Sequence, residues 1–124
     1  MGFKVLIVED SRATRELLAA ALETIDGVEV FESVSGFDAL KQLARESFDL
    51  ILTDINMPDI NGLELLNFMK RNPRYKDIPT IIVSTEGGQT DLARGMQLGA
   101  CEYLVKPIDP DALCLLVCRH LGIS

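Results

Sequence analysis

The chain has little that would tie it to a membrane, a nucleic acid or an oxidising compartment. No stretch reaches the roughly 18 consecutive apolar residues that a membrane-spanning helix needs. A basic start followed by an apolar signal core is also missing. The Met1-Gly2 opening has no Ser or Thr at position 6 to support myristoylation. Basic residues are scarce, 12 Lys and Arg against 19 Asp and Glu, for a formal charge of −7. With no basic excess to displace phosphate counterions, neither nucleic acid nor a membrane is expected as a partner. Three cysteines, an odd number, make no disulfide framework and suit a reducing cytosol, so the expected location is cytoplasmic. Low-complexity tracts, internal repeats and interdomain linkers are absent too.

What is there is an ordinary globular mixture, 48% apolar and 25% charged. A chain of 124 residues fits one domain, expected over 1–124, with a core that needs no disulfides. Strand-like apolar runs at Phe3–Val8, Val28–Val34, Leu50–Thr53, Thr80–Ser84 and Glu102–Val105 alternate with helix-period segments. The helices are expected over Arg12–Thr24, Gly36–Glu46, Gly62–Arg71, Gln89–Leu98 and Pro110–Leu121. Ser11 can cap the first, and Asp109-Pro110 is a good opening for the last. Strict β-α alternation with short links predicts an α/β fold, a parallel sheet covered on both faces.

Polar chemistry sits where each strand stops. Glu9-Asp10 follows the first strand, Asp54 the third, Ser84-Thr85 ends the fourth, and Lys106-Pro107 follows the fifth. In a parallel sheet these ends lie along one edge, so residues distant in sequence meet. Converging acids repel one another, and a hard divalent cation relieves the repulsion; an all-oxygen site with room for water suits Mg²⁺. Lys106 adds a point charge for a carboxylate or a phosphoryl oxygen, and Ser84 a hydroxyl donor. A carboxylate so surrounded can ligate the metal, attack phosphorus to form an acyl phosphate, or do both. Taken singly, each acid reads as a solvated loop residue and Lys106 as its stabilising partner. Taken together at successive strand ends, they read as a site.

With Glu9-Asp10, Asp54, Met57-Pro58, Gly62, Ser84, Tyr103 and Lys106-Pro107 in this order, the chain resembles the response-regulator receiver domain of two-component signalling, in particular its single-domain, chemotaxis-type members. The resemblance covers essentially the whole chain. It implies a flavodoxin-like, doubly wound sheet of order 2-1-3-4-5 with a cis Lys106-Pro107 bond. It implies Asp54 as phosphoacceptor, Asp10, Asp54 and the Asn56 carbonyl as Mg²⁺ ligands, and Glu9 acting through water. Ser84 and Lys106 would grip the phosphoryl group, and Tyr103 would be the switch aromatic that moves with Ser84. Asn56 and Glu86 stand where the family tunes hydrolysis of the acyl phosphate, and Thr85 departs from the Ala or Gly that many receivers carry. The partners implied are a histidine kinase or phosphotransfer protein as phosphodonor and a downstream protein target. If the chain is complete, the absence of an output domain favours output by docking; no separate turnover substrate is expected.

Several residues carry two readings. Gly87-Gly88 is an ordinary turn before a helix or a loop soft enough for Ser84 to move. Met57 reads as packing, and Tyr103 as an edge aromatic or a switch. The last helix is apolar nearly all round from Ala112 to Cys118. If Leu113, Val117 and Leu121 face the sheet, Cys114, Leu115 and Cys118 are left partly outward. They would form a docking or homodimer stripe on the surface of the fourth helix, fifth strand and fifth helix, or mild surface hydrophobicity. Cys114, Cys118 and His120 do not make a closed zinc site.

Other function classes fit less well. Phosphatases and phosphotransferases with an aspartyl nucleophile place it as Asp-x-Asp after the first strand, a pattern that Glu9-Asp10 lacks. Receivers that have become phosphorylation-independent interaction modules usually lose an acid or the lysine. A flavin phosphate would be repelled by Glu9-Asp10.

Overall fold

The computed structural model describes residues 2–85 and 89–123. Ten elements alternate along the chain: β1 (Phe3–Val8), α1 (Arg12–Leu22), β2 (Val28–Ser33), α2 (Gly36–Arg45), β3 (Leu50–Thr53), α3 (Gly62–Lys70), β4 (Thr80–Ser84), α4 (Gln89–Gln97), β5 (Glu102–Val105) and α5 (Pro110–Leu121). All pairings are parallel and the strand order is β2-β1-β3-β4-β5, as the resemblance implies. The chain turns from one side of β1 to the other between β2 and β3, which creates the switch point where such sheets bind ligands.

Although β1 is an unbroken apolar run, its side chains divide by the strand's period of two. Val5 and Ile7 join Leu50, Leu52, Ile81 and Val83 beneath α1 and α5, with Leu18, Leu22, Leu113 and Val117. Leu6 and Val8 point the other way, joining Ile51 beneath α2 and α3 with Leu43, Leu65 and Met69. A third cluster, Ile55, Leu63, Leu66, Ile82 and Ala100, has Tyr103 packed against it. Each large buried side chain contributes roughly 1.5–3 kcal/mol of transfer free energy, so both faces of the sheet are firmly held.

Caps mark the helix starts. The Ser11 hydroxyl accepts from the Thr14 N–H and that of Ser35 from the Asp38 N–H. Asn61 and Glu64 form a reciprocal capping box on α3, and the Asp109 carboxylate accepts from the Asp111 N–H. Several expected boundaries overran. Helix α1 stops at Leu22, where the Thr24 hydroxyl turns back to bond the Ala21 carbonyl at 2.7 Å. Residues Glu46 and Arg71 serve as caps rather than as last helical residues. Val34 lies beyond β2, whose last ladder bond runs from the Glu9 N–H to the Ser33 carbonyl.

Leu113 and Val117 of α5 are fully buried, and Leu121 packs beside them. Leu115 is 71% exposed. Cys114 is half-buried at the edge of the expected stripe. It packs on the core beside α1, and its thiol donates to the Ala21 carbonyl at 3.2 Å. One residue along a helix is about 100° of rotation, enough to carry Cys114 to the α1 boundary while Leu115 faces out. Cys118 is half-buried.

Candidate functional site

The C-terminal ends of β1, β3, β4 and β5 come together because their registers align them. Val8 sits opposite Thr53, and Ser84 opposite Val105. The Asp54 N–H donates to the Val8 carbonyl at 3.0 Å, and the Lys106 N–H to the Ser84 carbonyl at 2.8 Å. Glu9, Asp10, Asp54 and Lys106, spread over the chain, therefore begin from adjacent backbone positions. Carboxylate oxygens of Glu9, Asp10 and Asp54 lie within 4.8 Å of one another. Glu9 and Asp54 are buried, whereas Asp10 is exposed at the mouth.

Lys106 answers the two buried acids. Its ammonium is 2.7 Å from Glu9 Oε1 and 3.3 Å from Asp54 Oδ2. The remaining oxygens are also engaged: Ser11 N–H donates to Glu9 Oε2 at 3.0 Å, and Ile55 N–H to Asp54 Oδ1 at 2.7 Å. Burial pushes the Glu9 carboxyl above the ordinary carboxylate range, against the pull of Lys106 and the Ser11 amide. Burial also works to lower the Lys106 ammonium, but the bond to Glu9 and the charge of Asp54 outweigh it, and its pKa is raised. One ammonium pairs with two of three clustered carboxyl groups, so the cluster could hold a cation as well. Hard oxygen donors in this number fit Mg²⁺, with Asp10 open to solvent.

Two further side chains hold the first loop. Arg15 donates to the Glu9 main-chain carbonyl at 2.9 Å and pairs with Glu32 of β2 at 3.2 Å. Neither residue has a sequence signal of its own. An arginine six residues beyond Glu9 on an amphipathic helix looks like any other exposed-face cation.

A family model described as the response regulator receiver domain matches residues 5–117. This chain belongs to the response-regulator receiver family. It is similar to the response regulator protein FleR of Pseudomonas aeruginosa, 41% identical over 97% of this chain but only 25% of that protein's length. It is 34% identical to the chemotaxis protein CheY1 of Helicobacter pylori, covering 89% of this chain and 90% of CheY1. A crystal structure of a putative response regulator from Chloroflexus aurantiacus superposes with a TM-score of 0.92 at 30% identity, covering 98% of this chain and 99% of that one. The chain is thus a CheY-like receiver of two-component signalling, and its relatives are signalling proteins rather than turnover enzymes.

The other residues that the receiver resemblance named fall in distinct places. Ser84 is fully buried at the end of β4. Asn56 is exposed in the loop after Asp54, while Met57 packs on the cluster under α2 and α3. Lys106-Pro107 is cis. Gly62, the first residue of α3, lies so close to the Asp54 carbonyl that a Cβ there would collide with it. Tyr103 is half-buried beside Gly95 of α4. Thr85 is exposed and, with Ala13, Thr14, Leu17, Lys106, Pro107 and Ile108, lines a groove of about 470 Å³ at the mouth of the site. A larger hollow, about 560 Å³ on the outer side of α3, is lined by Glu64, Phe68 and Arg71 among others and lies away from the converging acids. Glu86 and Gly87-Gly88 lie outside the described residues.

Proposed function

We propose that this receiver accepts a phosphoryl group on Asp54 and converts it into a change of its α4-β5-α5 surface. The observation that carries this reading is the Lys106 ammonium, bonded to both buried acids at 2.7 and 3.3 Å while Asp10 remains open beside them. Asp10, Asp54 and the Asn56 carbonyl would hold Mg²⁺, with Glu9 acting at one remove. Bound there, the metal supplies positive charge against the phosphoryl oxygens of an in-line transfer.

The protein's own groups do the rest. A carboxylate oxygen of Asp54 forms the bond to phosphorus as the bond to the donor breaks, and the donor leaves with the electron pair. The donor is a phosphohistidine of a histidine kinase or phosphotransfer protein. Lys106 exchanges a carboxylate partner for a phosphoryl oxygen, and the Ser84 hydroxyl donates to another. Tyr103 follows Ser84, and the surface that it borders is remodelled. Asn56, Thr85 and Glu86 set the lifetime of the acyl phosphate.

The exposed apolar residues Leu92 and Met96 of α4, Val105 of β5 and Leu115 of α5 support docking of a protein target, or of a second copy, on that surface. The net charge of −7 supports a protein partner over a nucleic acid or an anionic membrane. No helix among the described residues is long and apolar enough to cross a membrane. A single receiver unit over 1–124, working in the cytoplasm without a turnover substrate, completes the reading.

The test is incubation with Mg²⁺ and acetyl phosphate, or with beryllofluoride, alongside Asp54→Asn. Acid-stable, base-labile modification that requires Mg²⁺ and is lost in the variant is expected. Steady multiple turnover of donor without a lasting change of state, or no modification at all, would sink the proposal.

A further inference from the structure

We infer that Asp59 is a positioning residue for the metal-binding loop, fastening the segment that carries the Asn56 carbonyl to the first turn of α2. This rests on the reading of Asp10, Asp54 and Asn56 as the metal-binding set.

Asp59 follows Pro58 in the β3–α3 loop, and both its oxygens are used on another part of the chain. Oδ1 accepts from the Gly36 N–H at 3.1 Å and Oδ2 from the Phe37 N–H at 2.9 Å. These are among the helix-opening amides that no intrahelical carbonyl reaches. Helix α2 already has a local cap, because the Ser35 hydroxyl accepts from Asp38 at 3.1 Å. Asp59 therefore adds something that a local cap cannot, a cross-link between the β3–α3 loop and the first turn of α2.

A second observation shows how closely the loop is fitted there. A Cβ at Gly36 would lie 2.7 Å from the Ile60 Cβ and 2.8 Å from the Ile60 carbonyl oxygen. The loop crosses the start of α2 at a distance that only glycine permits. Its other attachments include the bond from the Ile55 N–H to Asp54 Oδ1, the bond from the Gly62 N–H to the Ile55 carbonyl at 2.9 Å, and the packing of Met57 on the cluster under α2 and α3. Asn56 and Pro58 lie on either side of Met57, between the Ile55 bonds and Asp59, so the Asp59 bonds would help to set the path of the backbone that carries the Asn56 carbonyl.

The clasp is ionic at neutral pH. The Phe37 amide above all, helped by those of Ile60 and Gly36, draws the Asp59 carboxyl down to about 2, and a helix N-terminus favours the charged form. Mg²⁺ demands near-ideal ligand placement, so a carbonyl ligand on an unanchored loop binds it less well.

Magnesium titration calorimetry on wild type, Asp59→Ala, Asp59→Asn and Ser35→Ala tests the inference, with the amide resonances of Gly36 and Phe37 followed by NMR. Asp59→Ala is expected to weaken Mg²⁺ binding about tenfold and to move both resonances. Ser35→Ala loosens the same helix end without releasing the loop and should keep wild-type affinity. Asp59→Asn retains one acceptor oxygen and should fall between. Equal affinity in wild type and both Asp59 variants, or an equal loss in Ser35→Ala, overturns the inference. A wild type that binds no Mg²⁺ would remove the underlying site reading, and this inference with it.

Discussion

Lys106 and Glu9 meet at 2.7 Å although 97 residues separate them in sequence. The Glu9 side chain is 1% exposed and that of Lys106 14%, so the pair is held in a largely dry environment. There, removing one partner costs far more than the pair contributes as a whole.

Lys106→Met should therefore destabilise the fold by about 3 kcal/mol, measured by urea unfolding at neutral pH. The deficit should shrink on acidification, because Glu9, already raised by burial, takes up a proton once its partner is gone. The same variant should bind Mg²⁺ more tightly than wild type, since a competing cation has left the acids, yet fail to sustain the phosphorylated state.

The Asp59 clasp carries a pH dependence of its own. Its carboxyl titrates at about 2 in the fold against an ordinary 3.8. The folded state thus favours the ionised form, and the resulting stability is present above the ordinary value and lost as pH falls from about 4 towards 2. Thermal melts of wild type and Asp59→Ala should differ by a few degrees at pH 6 and converge near pH 2.

Gly62→Ala should be damaging out of proportion to one methyl group. The new Cβ would meet the Asp54 main-chain carbonyl and its neighbouring Ile55 Cα, neither of which can swing aside as a side chain could. An overpacking cost of about 3 kcal/mol is expected, together with slower modification of Asp54 by acetyl phosphate. Full activity with unchanged stability would show that the loop yields there.

Leu115→Lys and Leu113→Ala should separate docking from folding on one helix. Leu115 is 71% exposed and its replacement should leave stability within about 0.5 kcal/mol, while weakening target binding or self-association. Leu113 is fully buried, and its truncation should cost about 2–5 kcal/mol.

Much of this arrangement was legible in the linear chain, because the signals are local. Four strands begin and end where their apolar runs do, and the acids and Lys106 follow them directly, so parallel order alone brings them to one edge. Helix ends were harder, since whether Thr24 or Glu46 continues a helix turns on a single side-chain or capping bond. The orientation of Cys114 depends on the rotation of α5 against α1, which an apolar pattern on all sides leaves undetermined. Arg15 and Asp59 were illegible for another reason. Their partners, Glu32 and the amides of Gly36 and Phe37, lie across the sheet edge, and nothing in the spacing of an isolated Arg or a Pro-Asp turn announces such a contact.

Ile55 connects two parts of the molecule that are otherwise described separately. Its N–H is bonded to Asp54 Oδ1, and its side chain is a wall of the cluster on which Tyr103 packs. The Asp54 carboxylate and the hydrophobic bed of the aromatic ring are thus one residue apart along the chain. No long relay of side chains separates them, and a change in what Asp54 Oδ1 accepts would begin one residue from the floor beneath the ring.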